Sequence, residues 1–451
     1  LIPAAYLQTV FLCSKLLGGC QVISGAKNKW FGAIIVVCSI TYSCALKSKY
    51  SAGHAELAAS PFNQVGSLPS GMWGRPMMAW DPDIIREGSK VHLFFASLFC
   101  LKDNEWHYSW NPDDFKACSI DKVFFSIGYG FKDESLSSEF TFRRTPLIDP
   151  GTPGAWDDDQ IETPEMIQHG SKIHIFYSSM PKNPHTPGTK SARYQIGVAS
   201  LDLADYAATS MEDLFLNRPE VRLQRNANNP IVPRSKILDR FDRENTQEPT
   251  VIYRNGRFEL FYLGIRANKK GTNLPLDDDE SLLDSTADFK EFGLGRVCLD
   301  DEFRKRSCSD DATEIDPNVS PLVPVGSFTN MPNIYWHQNL YYLFYTAAGG
   351  QGDNHQGEKI FFRTSPDLVT WSQETVAVAG NESTEYNWGV HSPAVAVIDS
   401  PQGFIFEIVY QAWGVGSRGD DNPYCIKNRF RVSTNTDPTL CNSTALGFAR
   451  Q

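Results

Sequence analysis

The sequence predicts an all-β protein, a five-bladed β-propeller, and three observations carry that expectation. A proline-led motif recurs five times, at Pro82, Pro164, Pro249, Pro332 and Pro393. In the first four copies two aromatic residues stand 12 and 13 positions after the proline. A further apolar segment follows in each copy, in most of them running into a Ser- or Asp-rich turn. Units of at least three strands, repeated with long and variable connections, are the signature of radial stacking about an axis.

Each copy opens with a hairpin. The segments are DPDIIREGSKVHLFFAS at Asp81, TPEMIQHGSKIHIFYSS at Thr163, EPTVIYRNGRFELFYLG at Glu248, MPNIYWHQNLYYLFYTA at Met331 and SPAVAVIDSPQGFIFEIVYQA at Ser392. The proline suits the start of the first strand, where a missing N–H costs no ladder bond. Alternating, aromatic-rich runs around a Gly, Asn or Gln turn then read as two antiparallel strands. The aromatic pairs are Phe94-Phe95, Phe176-Tyr177, Phe261-Tyr262 and Phe344-Tyr345; the longer fifth turn puts Tyr410 at 17. Third strands are expected from Ser126, Tyr194, Phe292, Lys359 and Arg429. Innermost strands that start at one end of an axis bring the polar residues beside their prolines into one funnel. Those residues are Asp81, Asp83, Glu162, Glu165, Glu248, Asn330, Asn333, His391 and Ser392. Carboxylates from three blades in one funnel are expensive unless they have a task.

Composition sets the remaining bounds. The 451 residues are 41% hydrophobic and 21% charged, which excludes a mostly disordered, collagen-like or multi-span membrane protein. A net charge of −11 argues against nucleic acid as a partner. Residues 1–65 read as a basic, apolar leader and linker, and 66–451 as one propeller domain. Within the leader, Trp30 to Leu46 is an uncharged run flanked by Lys27, Lys29, Lys47 and Lys49. It suits a signal peptide or a membrane anchor. Six cysteines outside the leader fall as the local pairs Cys100/Cys118, Cys298/Cys308 and Cys425/Cys441, as disulfides of an oxidising compartment would. Asn381 and Asn442 open glycosylation triplets, and that at Asn318 is weakened by the proline that follows it. A secreted, extracellular or lumenal protein is expected, with no stable protein partner.

The DP, ETP and EP strand openings, the FF/FY pairs and the RTSPDLVTW turn resemble the five-bladed furanosidase-type glycoside hydrolases. These are the arabinanases and β-xylosidases of glycoside hydrolase family 43, with the related invertases and levansucrases. The resemblance covers roughly residues 75–435. It implies that Asp81, in WDPD, is base or nucleophile, and that Glu248, in QEPT, is the general acid. Family acids usually stand two residues before the proline, whereas Glu248 adjoins it. The second blade departs further. Thr163 stands where a pKa-tuning aspartate belongs, Glu162 precedes it in an acid-like IETP, and WDDDQ offers Asp157, Asp158 and Asp159 as substitutes. Glu162 would modulate the site or exchange roles with Glu248.

Glycoside hydrolysis itself demands such a set, one protonated acid for the leaving oxygen and one carboxylate to activate water or attack carbon. Sugars also need aromatic platforms and hydrogen-bonding side chains. Trp80 is the best-placed ring, with Trp73, Trp336, Trp388 and Trp413 as others. Asp83, Asp159, Glu165, Asn330 and His391 are further candidates for holding a carbohydrate substrate. Arg143 and Arg144 either reach the site or form a solvated pair. No nucleotide fingerprint or zinc pattern occurs, so no cofactor is expected. The runs Asp157–Asp159 and Asp277–Asp279 lack calcium-loop spacing and read as solvated acidic loops, with structural calcium as the alternative. Two rival readings stand beside the hydrolase. One is a phosphorylase with Arg266, Lys269 and Lys270 cradling phosphate. The other is a non-catalytic carbohydrate-binding propeller.

Overall fold

The computed structural model describes residues 79–103, 105–108, 123–136, 140–158, 160–181, 194–208, 210–235, 241–243, 245–268, 289–308, 330–347, 359–379, 389–400, 403–414 and 443–450. The described strands lie in five antiparallel sheets, each built in chain order from its inner strand outwards, except that one short strand of the first sheet pairs off this path. The first sheet holds β1 (Ala79–Glu87), β2 (Lys90–Lys102), β3 (Glu105–Tyr108), β4 (Val123–Asp133) and β5 (Thr141–Phe142). The second holds β6 (Gln160–His169), β7 (Lys172–Met180), β8 (Gln195–Asp202) and β9 (Gln224–Arg225), with helix α1 (Met211–Asn217) before the last. The third holds β10 (Asn245–Arg254), β11 (Arg257–Asn268), β12 (Phe289–Leu299) and β13 (Lys305–Arg306). The fourth holds β14 (Asn330–His337), β15 (Leu340–Ala347), β16 (Lys359–Ser365) and β17 (Thr375–Ala379). The fifth holds β18 (Gly389–Ser400), β19 (Gly403–Gly414) and β20 (Ser443–Arg450). The first four sheets are blades of a β-propeller. The inner strands β1, β6, β10, β14 and β18 pack successively on one another, and β18 packs back on β1.

The aromatic pairs explain how the sheets stack. Consecutive strand residues point to opposite faces, so a pair in a second strand serves two junctions at once. Phe94, Phe176, Phe261 and Phe344 face the following sheet; Phe95, Tyr177, Tyr262 and Tyr345 face the preceding one. Val409 and Tyr410 do the same in the fifth sheet, with an aliphatic first member. All ten are at most 2% exposed. Complete burial of one such side chain stabilises the fold by roughly 1.5–3 kcal/mol. The apolar core is accordingly five clusters, one for each pair of neighbouring sheets.

A buried tyrosine needs an acceptor for its hydroxyl, and two sheets supply it in the same way. Tyr177 donates to Asp157 (3.1 Å) and Tyr262 to Asp242 (2.9 Å). The residue before each aspartate, Trp156 or Phe241, stacks on that tyrosine. Gly197 and Gly295 face these tyrosines on the third strands. Asp157 also pairs with Arg225 (2.5 Å). It is therefore a structural anchor of the second sheet and not a solvated loop residue.

Arg143 likewise corrects a sequence expectation. Only 2% exposed, it donates to the carbonyls of Thr145, Phe215, Arg218, Pro219 and Val221, clamping the end of α1 and the loop beyond it. Its neighbour Arg144 is exposed. The third strand expected from Arg429 lies outside the described residues, and β20 holds that place beside β19. Cys298 and Cys308 form the expected disulfide. Cys100 is disulfide-bonded too, while Cys118, Cys425 and Cys441 lie outside the described residues, as does the leader. Among the described residues no helix is long and apolar enough to cross a membrane.

A Cβ on Gly197 would lie 2.7 Å from the Trp156 ring and 3.0 Å from that of Tyr177. Gly197→Ala is expected to destabilise the protein by about 1–3 kcal/mol through overpacking, read as a lower urea midpoint at unchanged slope.

Candidate active site

The inner strands share one irregularity. Each has a register shift at its proline, between Trp80 and Asp83, Glu162 and Glu165, Gln247 and Thr250, Asn330 and Asn333, and His391 and Ala394. The residue before each proline is left-handed: Asp81 (φ 46°), Thr163 (50°), Glu248 (55°), Met331 (52°) and Ser392 (48°). That conformation is uncommon for any residue but glycine and an outlier for β-branched threonine. The bulge it makes re-aims side chains. Here these five residues and all five prolines, with Glu165 and Asn333, line one axial cavity that opens to solvent.

Side chains just after the prolines join one inner strand to the next. Asp83 Oδ2 accepts the Met166 amide (2.6 Å), Glu165 Oε1 the Val251 amide (3.1 Å), and Thr250 Oγ1 the Ile334 amide (2.9 Å). Asn333 donates in turn to Glu165 Oε2 (3.3 Å). Burial pushes the Asp83 carboxyl up to about 7, against the two amides it accepts. Glu165 is held well above its ordinary range, first by burial and then by the charge of Asp83.

The left-handed residues have their own partners. Asp81 N–H donates to Gln411 Oε1 (3.4 Å), Glu248 N–H to Ser178 Oγ (2.7 Å) and Ser392 N–H to Thr346 Oγ1 (3.1 Å), each on the second strand of the preceding sheet. The Met331 amide goes instead to Glu248 Oε2 (2.6 Å). Glu248 Oε1 accepts Gln247 Nε2 (2.7 Å), and Asp81 Oδ1 accepts the Ser392 hydroxyl (2.8 Å).

The two cavity carboxyls at left-handed positions, like Glu165, hold their protons more tightly than usual. Burial raises Asp81, with His391 and the Ser392 bond pulling the other way. Burial also raises Glu248, to about 7; Gln247, Met331 and His391 oppose it, and Asp81 adds to it. Asp81 and Glu248 occupy equivalent bulge positions in β1 and β10, and His391, 4% exposed, acts on both. Such a site can hold one carboxyl protonated beside another near neutral pH.

Glu162 is half-buried one residue before the bulge and is not among the cavity-lining residues. Thr163 holds the bulge position of the second sheet and bonds Ser178 through its hydroxyl. Neither Asp157, tied to Arg225, nor Asp158, which accepts the Gly154 amide (2.6 Å), lines the cavity. Trp336 packs on Tyr341 under the Arg254 guanidinium at the far end of β14. Trp80 and Asn330 lie on β1 and β14 at the same register as Glu162, but their side chains are outside the described set, as is that of Trp413 on β19. Trp73, Trp388, Asp159, Lys269, Lys270 and Asp277–Asp279 lie wholly outside the described residues, and Arg266 is described only in its backbone. Among the described residues no group of three or more His, Cys, Asp or Glu side chains is arranged to hold a metal.

Tyr194 is a site residue the sequence reading missed. It precedes β8 and is pinned to β10 through Asn245 Oδ1 (3.1 Å) and the Thr246 amide (3.1 Å). Its phenol donates to Gln160 Oε1 (2.8 Å) and stands within bonding reach of Glu162. Burial, then the charges of Glu162, Asp81 and Glu248, hold that phenol well above its ordinary value, so it is a neutral donor. Its signal was its place at the opening of a third strand, beside the next inner strand.

No family model and no curated protein matches the chain. Solved structures resemble it distantly. A glycoside hydrolase shares 13% identity over 86% of this chain and 91% of its own, at a TM-score of 0.49. A thermostable family-43 glycoside hydrolase shares 11% over 86% and 92%, at 0.45. The Cellvibrio cellulosa α-L-arabinanase complexed with arabinohexaose shares 13% over 83% and 92%, at 0.45. At such distance the chemistry rests on the chain's own carboxyls.

Because the folded Asp83 carboxyl is raised from 3.8 to about 7, its contribution to stability is complete below about pH 4 and is lost as pH rises through about 7. Glu165 acts in the same direction. Unfolding free energy should fall across that window by an amount on the order of a few kcal/mol, and Asp83→Asn should flatten part of the slope. Denaturant titrations at a series of pH values measure it; a flat wild-type profile would contradict the assignment.

Proposed function

We propose that the chain is a five-bladed propeller glycoside hydrolase, with the three-stranded fifth sheet as the fifth blade. It cleaves an arabinofuranoside, xyloside, galactoside or fructoside of an oligo- or polysaccharide at the axial cavity. The observation that carries this reading is the pairing of Asp81 and Glu248. Two buried carboxyls at equivalent positions of different inner strands line one cavity, and Glu248 is poised at about 7. Asp81, oriented by Ser392, serves as base or nucleophile. Glu248 protonates the leaving oxygen, and Glu162, with Tyr194, borders the site and modulates it. His391 stabilises the carboxylate that forms when Glu248 gives up its proton. The site's own residues suffice for this chemistry, and no cofactor is invoked. The Cys298–Cys308 disulfide supports a secretory route.

The acid must be protonated to act, so kcat/KM should fall as pH rises through about 7. Asp81→Asn should lower hydrolysis by roughly 10²–10⁴-fold with every leaving group. Glu248→Gln should do so for unactivated glycosides and by less than about tenfold for activated aryl glycosides, whose leaving group hardly needs a proton. Leaving-group dependence confined to Glu162→Gln would move the acid role there. A wild type that binds oligosaccharide but cleaves none, with or without phosphate, would leave a carbohydrate-binding propeller; cleavage only with phosphate would make it a phosphorylase.

A further inference from the structure

We infer that Gln247 is a positioning residue for Glu248, and that with the Met331 amide it clamps the Glu248 carboxyl across the junction of the third and fourth sheets. The inference rests on the reading of Glu248 as the general acid. It comes from comparing one register position in four of the sheets; in the first, the partner of Trp80 is Ala96, which has no side-chain acceptor either. Glu162 pairs with Ser178, Asn330 with Thr346 and His391 with Gln411. Each of these second-strand residues presents an oxygen, and each accepts the left-handed amide of the next sheet. In the third sheet the partner of Gln247 is Leu263, 1% exposed and without an acceptor. Leu263 thus offers the Met331 amide that follows no side-chain acceptor.

Glu248 Oε2 takes that amide (2.6 Å). The other oxygen is held by Gln247 Nε2 (2.7 Å), so the carboxyl is gripped at both ends. Each oxygen keeps a second lone pair, where the transferable proton can reside. Leu263 thus leaves to the acid a bond that a hydroxyl or amide side chain makes at three other junctions. Both donors favour the ionised carboxylate and oppose burial. The other charged or titratable groups acting on Glu248 or sharing its surroundings include Asp81 on β1, Glu165 on β6, His391 on β18 and Tyr194 before β8.

The test is a titration of Glu248 in the intact protein by isotope-edited infrared spectroscopy, its band assigned by loss in Glu248→Gln, alongside pH profiles of kcat/KM. Gln247→Met removes one donor. Leu263→Thr supplies the hydroxyl found at Thr346 and should draw the Met331 amide away from the acid. A carboxylate that loses a donor holds its proton to higher pH, so in both variants the midpoint and the basic limb should rise by about one pH unit. Unchanged midpoints with an even loss of activity at every pH would overturn the clamp and leave Gln247 a packing residue. If Leu263→Thr does not fold, Gln247→Met decides alone. A wild type that hydrolyses no glycoside refutes the function, while the infrared midpoints still report on the clamp.

Discussion

The structure turns on the left-handed residue that precedes each inner-strand proline. Neighbouring inner strands come from different sheets, so the contacts between them must be made by side chains. The bulge makes this workable. It turns one side chain towards the axis and, at four of the bulges, offers one amide to the preceding sheet, while in three sheets the residue after the proline reaches the following strand. Proline fits because it has no N–H to be orphaned at the distorted point. Left-handed backbone costs on the order of 1–3 kcal/mol for a residue other than glycine, and the cost is met five times. The same device that builds the ring therefore also loads it with functional groups.

Two kinds of carboxyl result, separated by two residues. Asp83 and Glu165 each accept an amide of the next inner strand, as a structural acid would, although Glu165 also lines the cavity. Asp81 and Glu248 face the cavity and feel one another and His391. All four hold their protons tightly because all four are buried, so burial alone does not distinguish the chemistry from the scaffold. What sets Asp81 and Glu248 apart is that they occupy the left-handed position of the bulge itself.

Much of the fold was legible in the residues. The recurrence of the prolines marked the inner strands, and the aromatic pairs marked the second strands, because burial on both faces of a sheet demands two large neighbours. What the residues did not announce was the bulge. Residues before proline favour extended backbone, and nothing in Asp81-Pro82 or Thr163-Pro164 signals a left-handed turn. Asp83 read as a sugar ligand because its actual partners are backbone amides, which leave no trace in sequence. Tyr194 and Gln411 reach the site from third and second strands, where no motif points inward. Arg143 was misread for the same reason as Asp83: its partners are carbonyls.

The ring has an order of completion. Asp81 lies on the first inner strand, yet its amide and carboxylate are bonded to Gln411 and Ser392, 330 and 311 residues further along. Arg86, on the same strand, is held by Glu407 at 2.7 Å. During synthesis these partners leave the ribosome more than 300 residues after Asp81, and contacts of such high sequence separation form late in folding. The earliest sheet therefore waits with an open flank for the final one. The nascent chain carries its first cavity carboxylate unfinished until the fifth sheet is made.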